Sequence, residues 1–132
     1  MKCLFCSIVK REVLARVIYE DERTLAFLDI NPRAPGHTMI IPKSHVVSLR
    51  DLEDRDVEPL FRAVKTVQTR ILEVLHPGGF TVGVNQGRAA GQEVDHLHVH
   101  ILPRFFRDGG GAVQELVNNP PGESLEEMVE KL

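Results

Sequence analysis

Three histidines stand at alternate positions, His96, His98 and His100, with Leu97, Val99 and Ile101 between and after them. A β-strand sends successive side chains to opposite faces. Read as a strand, this segment buries the three aliphatic residues and aligns three imidazoles on the other face, neighbours about 6.5–7 Å apart along the chain. Imidazole titrates near neutral pH, so it serves as nucleophile, proton carrier or metal ligand. A core strand has no structural need for three of them. A phosphorus centre ringed by negative oxygens resists water. A positioned imidazole attacks it more readily and forms a labile phosphoramidate that water then opens. His98, in the middle, has a neighbour on each side to orient it or to neutralise phosphate oxygens.

Other residues carry weaker signals. Asp29 lies past a strand end in a Pro-bounded loop, where its carboxylate suits a ribose diol or starts an Asx turn. Asn85 ends a strand and reads as a polar ligand contact or as a turn residue. Gly91 and Gln92 precede the histidines. Glycine allows close approach of a phosphate, and a backbone N–H there suits developing negative charge. Cys3 and Cys6 form a C-x-x-C pair, which reads as a metal site, a redox motif or two buried thiols. The redox reading is the weakest, because no β-strand leads into a helix at the pair.

The elements that must position these groups follow from patterning. A short helical turn covers residues 3–10. Strands are expected at 16–20 and 24–28, joined by a polar turn at Asp21-Glu22-Arg23, then at 37–42, 80–85 and 95–103. One long helix follows residue 51. Val57, Leu60, Phe61, Val64, Ile71, Leu72 and Leu75 keep the spacing of one helical face. Asp51, Glu53, Asp54 and Asp56 crowd its start, where the helix dipole favours them, and Pro77-Gly78-Gly79 stops it. Pro59 leaves the first turn unsettled. His76 sits where a cation suits the helix end. A last helix is expected from Ser124. Mostly strands with one long helix is an α+β pattern.

Composition sets limits. The 132 residues suit one domain, 1–132, with a tail from about 105. The net charge of −3 and the lack of a Lys/Arg block argue against a nucleic-acid partner. No apolar run approaches the roughly 18 residues of a membrane helix, and the N-terminal apolar stretch is too short for a signal peptide. A cytoplasmic protein with reduced cysteines is expected.

The stretch His96-Leu97-His98-Val99-His100-Ile101-Leu102 resembles the signature of the histidine-triad (HIT) family. The resemblance spans nearly the whole chain. It takes in Cys3-Leu4-Phe5-Cys6, Phe27-Leu28-Asp29-Ile30-Asn31-Pro32, Pro35-Gly36-His37, Ile41-Pro42-Lys43-Ser44-His45, Asn85-Gln86-Gly87 and Ala90-Gly91-Gln92. It implies an α+β, HIT-like protomer with a five-stranded antiparallel sheet, a long helix and a short N-terminal helix, usually paired as a homodimer. It also implies nucleotide binding, with His98 as nucleophile, His100 as phosphate contact and proton relay, and Asp29 on the ribose. Asn85, Gly91, Gln92 and position 93 would complete the nucleotide site. Glu93 departs from the family's Ser or Thr: an ionised Glu cannot donate a hydrogen bond and repels phosphate. In the branch that keeps the cysteine pair, Cys3, Cys6, His45 and His96 hold a structural Zn²⁺, and Pro35-Gly36-His37 supports the triad.

The favoured expectation is hydrolysis of the α-phosphate linkage of a purine nucleoside phosphoramidate, through a nucleotidyl-histidine. The alternatives are a dinucleoside polyphosphate hydrolase and a non-catalytic nucleotide-binding protein. A metallohydrolase with all three histidines on one metal is a further alternative.

Overall fold

The computed structural model describes residues 2–132. Helix α1 (Leu4–Val9) starts at Cys3, whose sulfur accepts the Cys6 N–H at 3.4 Å. Strands β1 (Val17–Glu20) and β2 (Thr24–Leu28) form a hairpin. Asp21 shapes its turn by accepting the N–H groups of Arg23 and Thr24, both at 2.8 Å. Strand β3 (Thr38–Pro42), helix α2 (Asp54–Leu75), strands β4 (Gly79–Gly83) and β5 (Val99–Arg104) and helix α3 (Leu125–Lys131) follow. The strands make one five-stranded antiparallel sheet in the order β1-β2-β3-β5-β4, so β4 is an edge. Among the described residues no helix is long and apolar enough to cross a membrane.

Period-two alternation divides the core between the two sheet faces. On one face Ala26, Ile40, Leu97, Val99 and Ile101 pack with Leu60, Ala63, Val64, Val67 and Ile71 of α2. On the other face Leu25, Phe27 and Ile41 pack with Phe5 and Ile8 of α1. The N-terminal cysteines therefore ride on a helix anchored to the histidine side of the sheet.

Helix α2 is present, but its buried line is narrower than the spacing implied. Leu60, Val64 and Ile71 face the sheet, whereas Val57, Phe61, Leu72 and Leu75 are 40–50% exposed on the flank. An apolar arc wider than its contact cannot, from spacing alone, reveal which half docks. Pro59 is accommodated inside the helix, where it lacks an N–H to give. His76 ends α2 in the left-handed conformation (φ 51°), its N–H donated to the Leu72 carbonyl at 3.2 Å. At the other end Asp56 is buried. It accepts from Arg23 Nη1 at 2.7 Å and from Ser44 Oγ at 3.4 Å, tying the hairpin to the helix.

The histidine segment is a strand only from Val99 onward. β3 pairs with β5 no further back than Ile40 opposite Val99. Before that, the Leu97 N–H turns to the Val46 carbonyl (2.7 Å) and the His96 N–H to the Val94 carbonyl (2.8 Å). This departure from the ladder swings His96 toward the N-terminal helix and separates it from the other two imidazoles.

Candidate active site and metal centre

His98 is fixed by its own chain. Its Nδ1 lies 2.7 Å from the His96 carbonyl oxygen. A carbonyl only accepts, so Nδ1 carries the proton and the lone pair sits on Nε2, the tautomer a nucleophilic imidazole needs. The ring is 7% exposed. Phe5 meets it edge-on at 5.2 Å between ring centroids, and His100 lies on another side at 5.1 Å. The ring therefore has little freedom to rotate, and it belongs to no cluster of metal-type donors among the described residues.

His100 opens a second line of contacts. The Arg33 N–H donates to His37 Nδ1 at 3.1 Å, which leaves the His37 proton on Nε2. That atom lies 2.9 Å from His100 Nδ1 and 3.5 Å from Asp29 Oδ2. His37 is only 4% exposed. Burial pushes His37 below the ordinary histidine value, against the opposing pull of Asp29. Burial, with the neighbouring His98 and His37, lowers His100 to about 4. Both rings are neutral at pH 7, and a neutral relay can pass a proton without first losing one. Asp29 also accepts the Asn31 N–H at 2.8 Å, so the Asx turn expected as an alternative is formed. In the sequence, only the family resemblance pointed to His37 as a support for the triad. Its depth in the chain, 63 residues from His100, hid the contact.

His96 faces the other way. Its Nε2 donates to the Pro42 carbonyl at 2.8 Å, which leaves the Nδ1 lone pair toward Cys3 Sγ (3.5 Å) and Cys6 Sγ (3.6 Å). Cys6 Sγ is 3.2 Å from His45 Nδ1. The donor atoms of these four residues lie within 4.8 Å of one another. An S–N edge of a tetrahedron built on ordinary zinc bonds is about 3.6 Å. Donor types, spacing and the backbone brace behind His96 all fit a closed four-ligand site, and the cluster can hold a metal ion. Burial, with Cys3 beside it, pushes the Cys6 thiol up, so a bound cation would have to displace its proton. Because His96 turns away from His98 and His100, the three imidazoles do not converge on one ion, which removes the alternative of a single catalytic metal on all three.

The remaining predicted residues are distributed around this centre. Asn85 lines a groove together with His100, His37 and Arg33. Gly91 has φ +86°, a conformation glycine tolerates, and its N–H is donated to the Arg88 carbonyl. Gln92 is buried and braces the loop. Its Oε1 accepts the Gly87 N–H at 2.9 Å, and its Nε2 donates to the Val47 and Val94 carbonyls. Glu93 is exposed and does not line the groove. Arg104 and Asp108 also line this groove and pair with each other, Arg104 Nε lying 2.7 Å from Asp108 Oδ2.

This geometry agrees with what the chain is similar to. The HIT domain family model matches residues 10–107. An uncharacterized HIT-like protein of Methanocaldococcus jannaschii is 45% identical over 107 residues, covering 81% of this chain and 82% of its own. The adenosine 5'-monophosphoramidase of Schizosaccharomyces pombe is 38% identical over 104 residues, 79% of this chain and 75% of its own. A HIT family crystal structure from Bacillus subtilis superimposes with a TM-score of 0.87 at 34% identity, covering 99% of this chain and 94% of that one. A Zn-bound histidine triad family protein from Mycobacterium smegmatis gives 0.74 at 35% identity, covering 93% and 85%. The chain belongs to the histidine-triad family.

Proposed function

We propose that the protein hydrolyses the α-phosphate linkage of a purine nucleoside phosphoramidate or related nucleotide through a covalent nucleotidyl-His98. The observation that carries this reading is the proton on His98 Nδ1, held by the His96 carbonyl, which leaves Nε2 free to attack. In the first step Nε2 bonds to the α-phosphorus, the phosphorus–leaving-group bond breaks and the leaving group departs with a proton. In the second, water adds to phosphorus, the P–N bond breaks and the lone pair returns to Nε2. In this reading the His100–His37 pair gives the leaving group its proton and takes one back from the attacking water, and Asp29 meets the ribose. The 38% identity to a monophosphoramidase supports this choice of substrate.

A structural Zn²⁺ on Cys3, Cys6, His45 and His96 belongs to the same reading, supported by the zinc-bound relative and by the donor set. Bound there, the ion ties α1 to the segment that orients His98. It needs reduced cysteines, which the cytoplasm maintains. A homodimer belongs to this reading as well, with the edge position of β4 and the exposed apolar flank of α2 as the surface. Incubation with a labelled adenosine phosphoramidate tests the enzymatic reading. The wild type is expected to release nucleoside monophosphate and His98→Ala is not; equal, slow release by both would refute it.

A further inference from the structure

One side chain grips the loop that leads into the histidines. Arg88 folds back over its own loop. Its Nη1 donates to the Gln92 carbonyl (2.5 Å) and, at longer range, to the Glu93 carbonyl (3.4 Å). Its Nη2 donates to Asp95 Oδ2 (3.0 Å). A planar guanidinium fork can span acceptors spread over four residues, which a single ammonium cannot. The grip stops one residue short of His96, whose carbonyl fixes the His98 ring. The loop backbone is otherwise permissive, because Gly87 and Gly91 both sit at φ +86°.

A trans peptide points its N–H opposite to its C=O, and no peptide bond among the described residues is cis. Holding the Gln92 and Glu93 carbonyls therefore turns the Glu93 and Val94 N–H groups away from Arg88. Among the described residues neither N–H meets an acceptor. Arg88 stands on the outside of the loop, its side chain 68% exposed. The segment it grips runs beside the nucleophile. Val94 packs against the cluster that contains Phe5, and Phe5 meets the His98 ring edge-on at 5.2 Å. Two N–H groups on the inner side of this loop are donors for an anionic oxygen, and the exposed Glu93 carboxylate supplies none.

We propose that Arg88 is a positioning residue for the His98 reaction. By holding the Gln92 and Glu93 carbonyls outward, it aims the Glu93 and Val94 N–H groups at the oxygens on the α-phosphorus. This role rests on the reaction proposed above and belongs to a side chain that does not itself touch the substrate. It separates rate from stability. An exposed ion pair adds little to the fold. Donors that miss the oxygens forfeit transition-state stabilisation.

The test compares wild type, Arg88→Ala and Arg88→Lys. Turnover is measured on adenosine phosphoramidate and on its two stereoisomeric analogues with sulfur in place of one non-bridging α-oxygen. Sulfur accepts an N–H weakly, so aimed donors make the enzyme discriminate between the isomers. Arg88→Ala is expected to lower kcat about tenfold to thirtyfold with KM within about threefold. Its urea midpoint should stay near that of wild type, and its discrimination between the isomers should fall at least about threefold. Arg88→Lys keeps the charge without the fork and should restore only part of the rate. Amide spectra with and without AMP give a readout independent of turnover. AMP should move the Glu93 and Val94 amide protons downfield in wild type, and that shift should be lost in Arg88→Ala at saturating AMP. Undiminished kcat in Arg88→Ala, full restoration by Arg88→Lys, or isomer discrimination and AMP-induced shifts unchanged from wild type each overturn the role. A wild type that turns over neither substrate, but whose AMP-induced shifts vanish in Arg88→Ala, would refute the catalytic reading and leave Arg88 as the residue that aims the donors.

Discussion

His96, His98 and His100 hold three different posts because each ring's proton is set by a different neighbour. The Pro42 carbonyl fixes one, the His96 carbonyl another, and His37 the third. His37→Gln keeps a polar side chain but cannot relay a proton as an imidazole does. It is expected to lower kcat by about a hundredfold and to reshape the pH–rate profile, read from initial rates between pH 5 and 9. His37 and His100 also make stability depend on pH. Both titrate below the ordinary histidine value of 6.5, His100 at about 4. The unfolded chain therefore binds protons first as pH falls. Their contribution is complete above pH 6.5 and lost progressively toward pH 4, on the order of 3 kcal/mol at most for His100. Urea midpoints at pH 7.5 and 4.5 should fall accordingly, and His100→Gln should flatten the dependence. The histidine alternation was legible in the sequence. Which ring looks where was not, because Pro42, Cys3 and His37 reach the triad through the fold and not through the chain.

Element placement was mostly legible for the same reason the triad was: period-two and helical patterns are local. The break in the histidine strand before Val99 was not, since it depends on Val46 and Val94 taking bonds that a ladder would use. Nor was the ion pair between Arg23 in the hairpin and the buried Asp56 in α2, 33 residues apart. Its two ends are unequal. Removing Arg23 strands a buried carboxylate, whereas removing Asp56 leaves a guanidinium that water can reach. Arg23→Ala should therefore lower the urea midpoint more than Asp56→Ala does. The reverse order would show that the pair is not what joins the hairpin to the helix. The proposed Zn²⁺ on the Cys/His cluster would hold the N-terminal helix in the same way. Metal removal by a chelator, or Cys6→Ser, should lower the thermal midpoint by about 10 °C while the remaining folded protein keeps most of its turnover. A total loss of chemistry with no loss of stability would place the metal at the reaction instead.

For the whole molecule, the sheet order leaves β4 at an edge, with Val82 exposed on it and Phe61 on the flank of α2. A bare edge and an apolar flank both favour a partner, and the proposed homodimer is expected to bury them. Sedimentation should give twice the chain mass at micromolar concentration, and Phe61→Glu should shift the balance to monomer. Neither composition nor spacing identified this surface, because apolar residues on the flank of a helix look the same in sequence as those in its core.

Nucleophilic attack by His98 is the step on which the proposed function turns. Rapid alkaline quenching of the protein with adenosine phosphoramidate, followed by intact and peptide mass analysis, tests it most directly. The account predicts a transient mass increase of one nucleoside monophosphate on the peptide that contains His98, absent from His98→Ala. Undiminished turnover by His98→Ala, or full turnover by the wild type with the label never reaching that peptide, would contradict it.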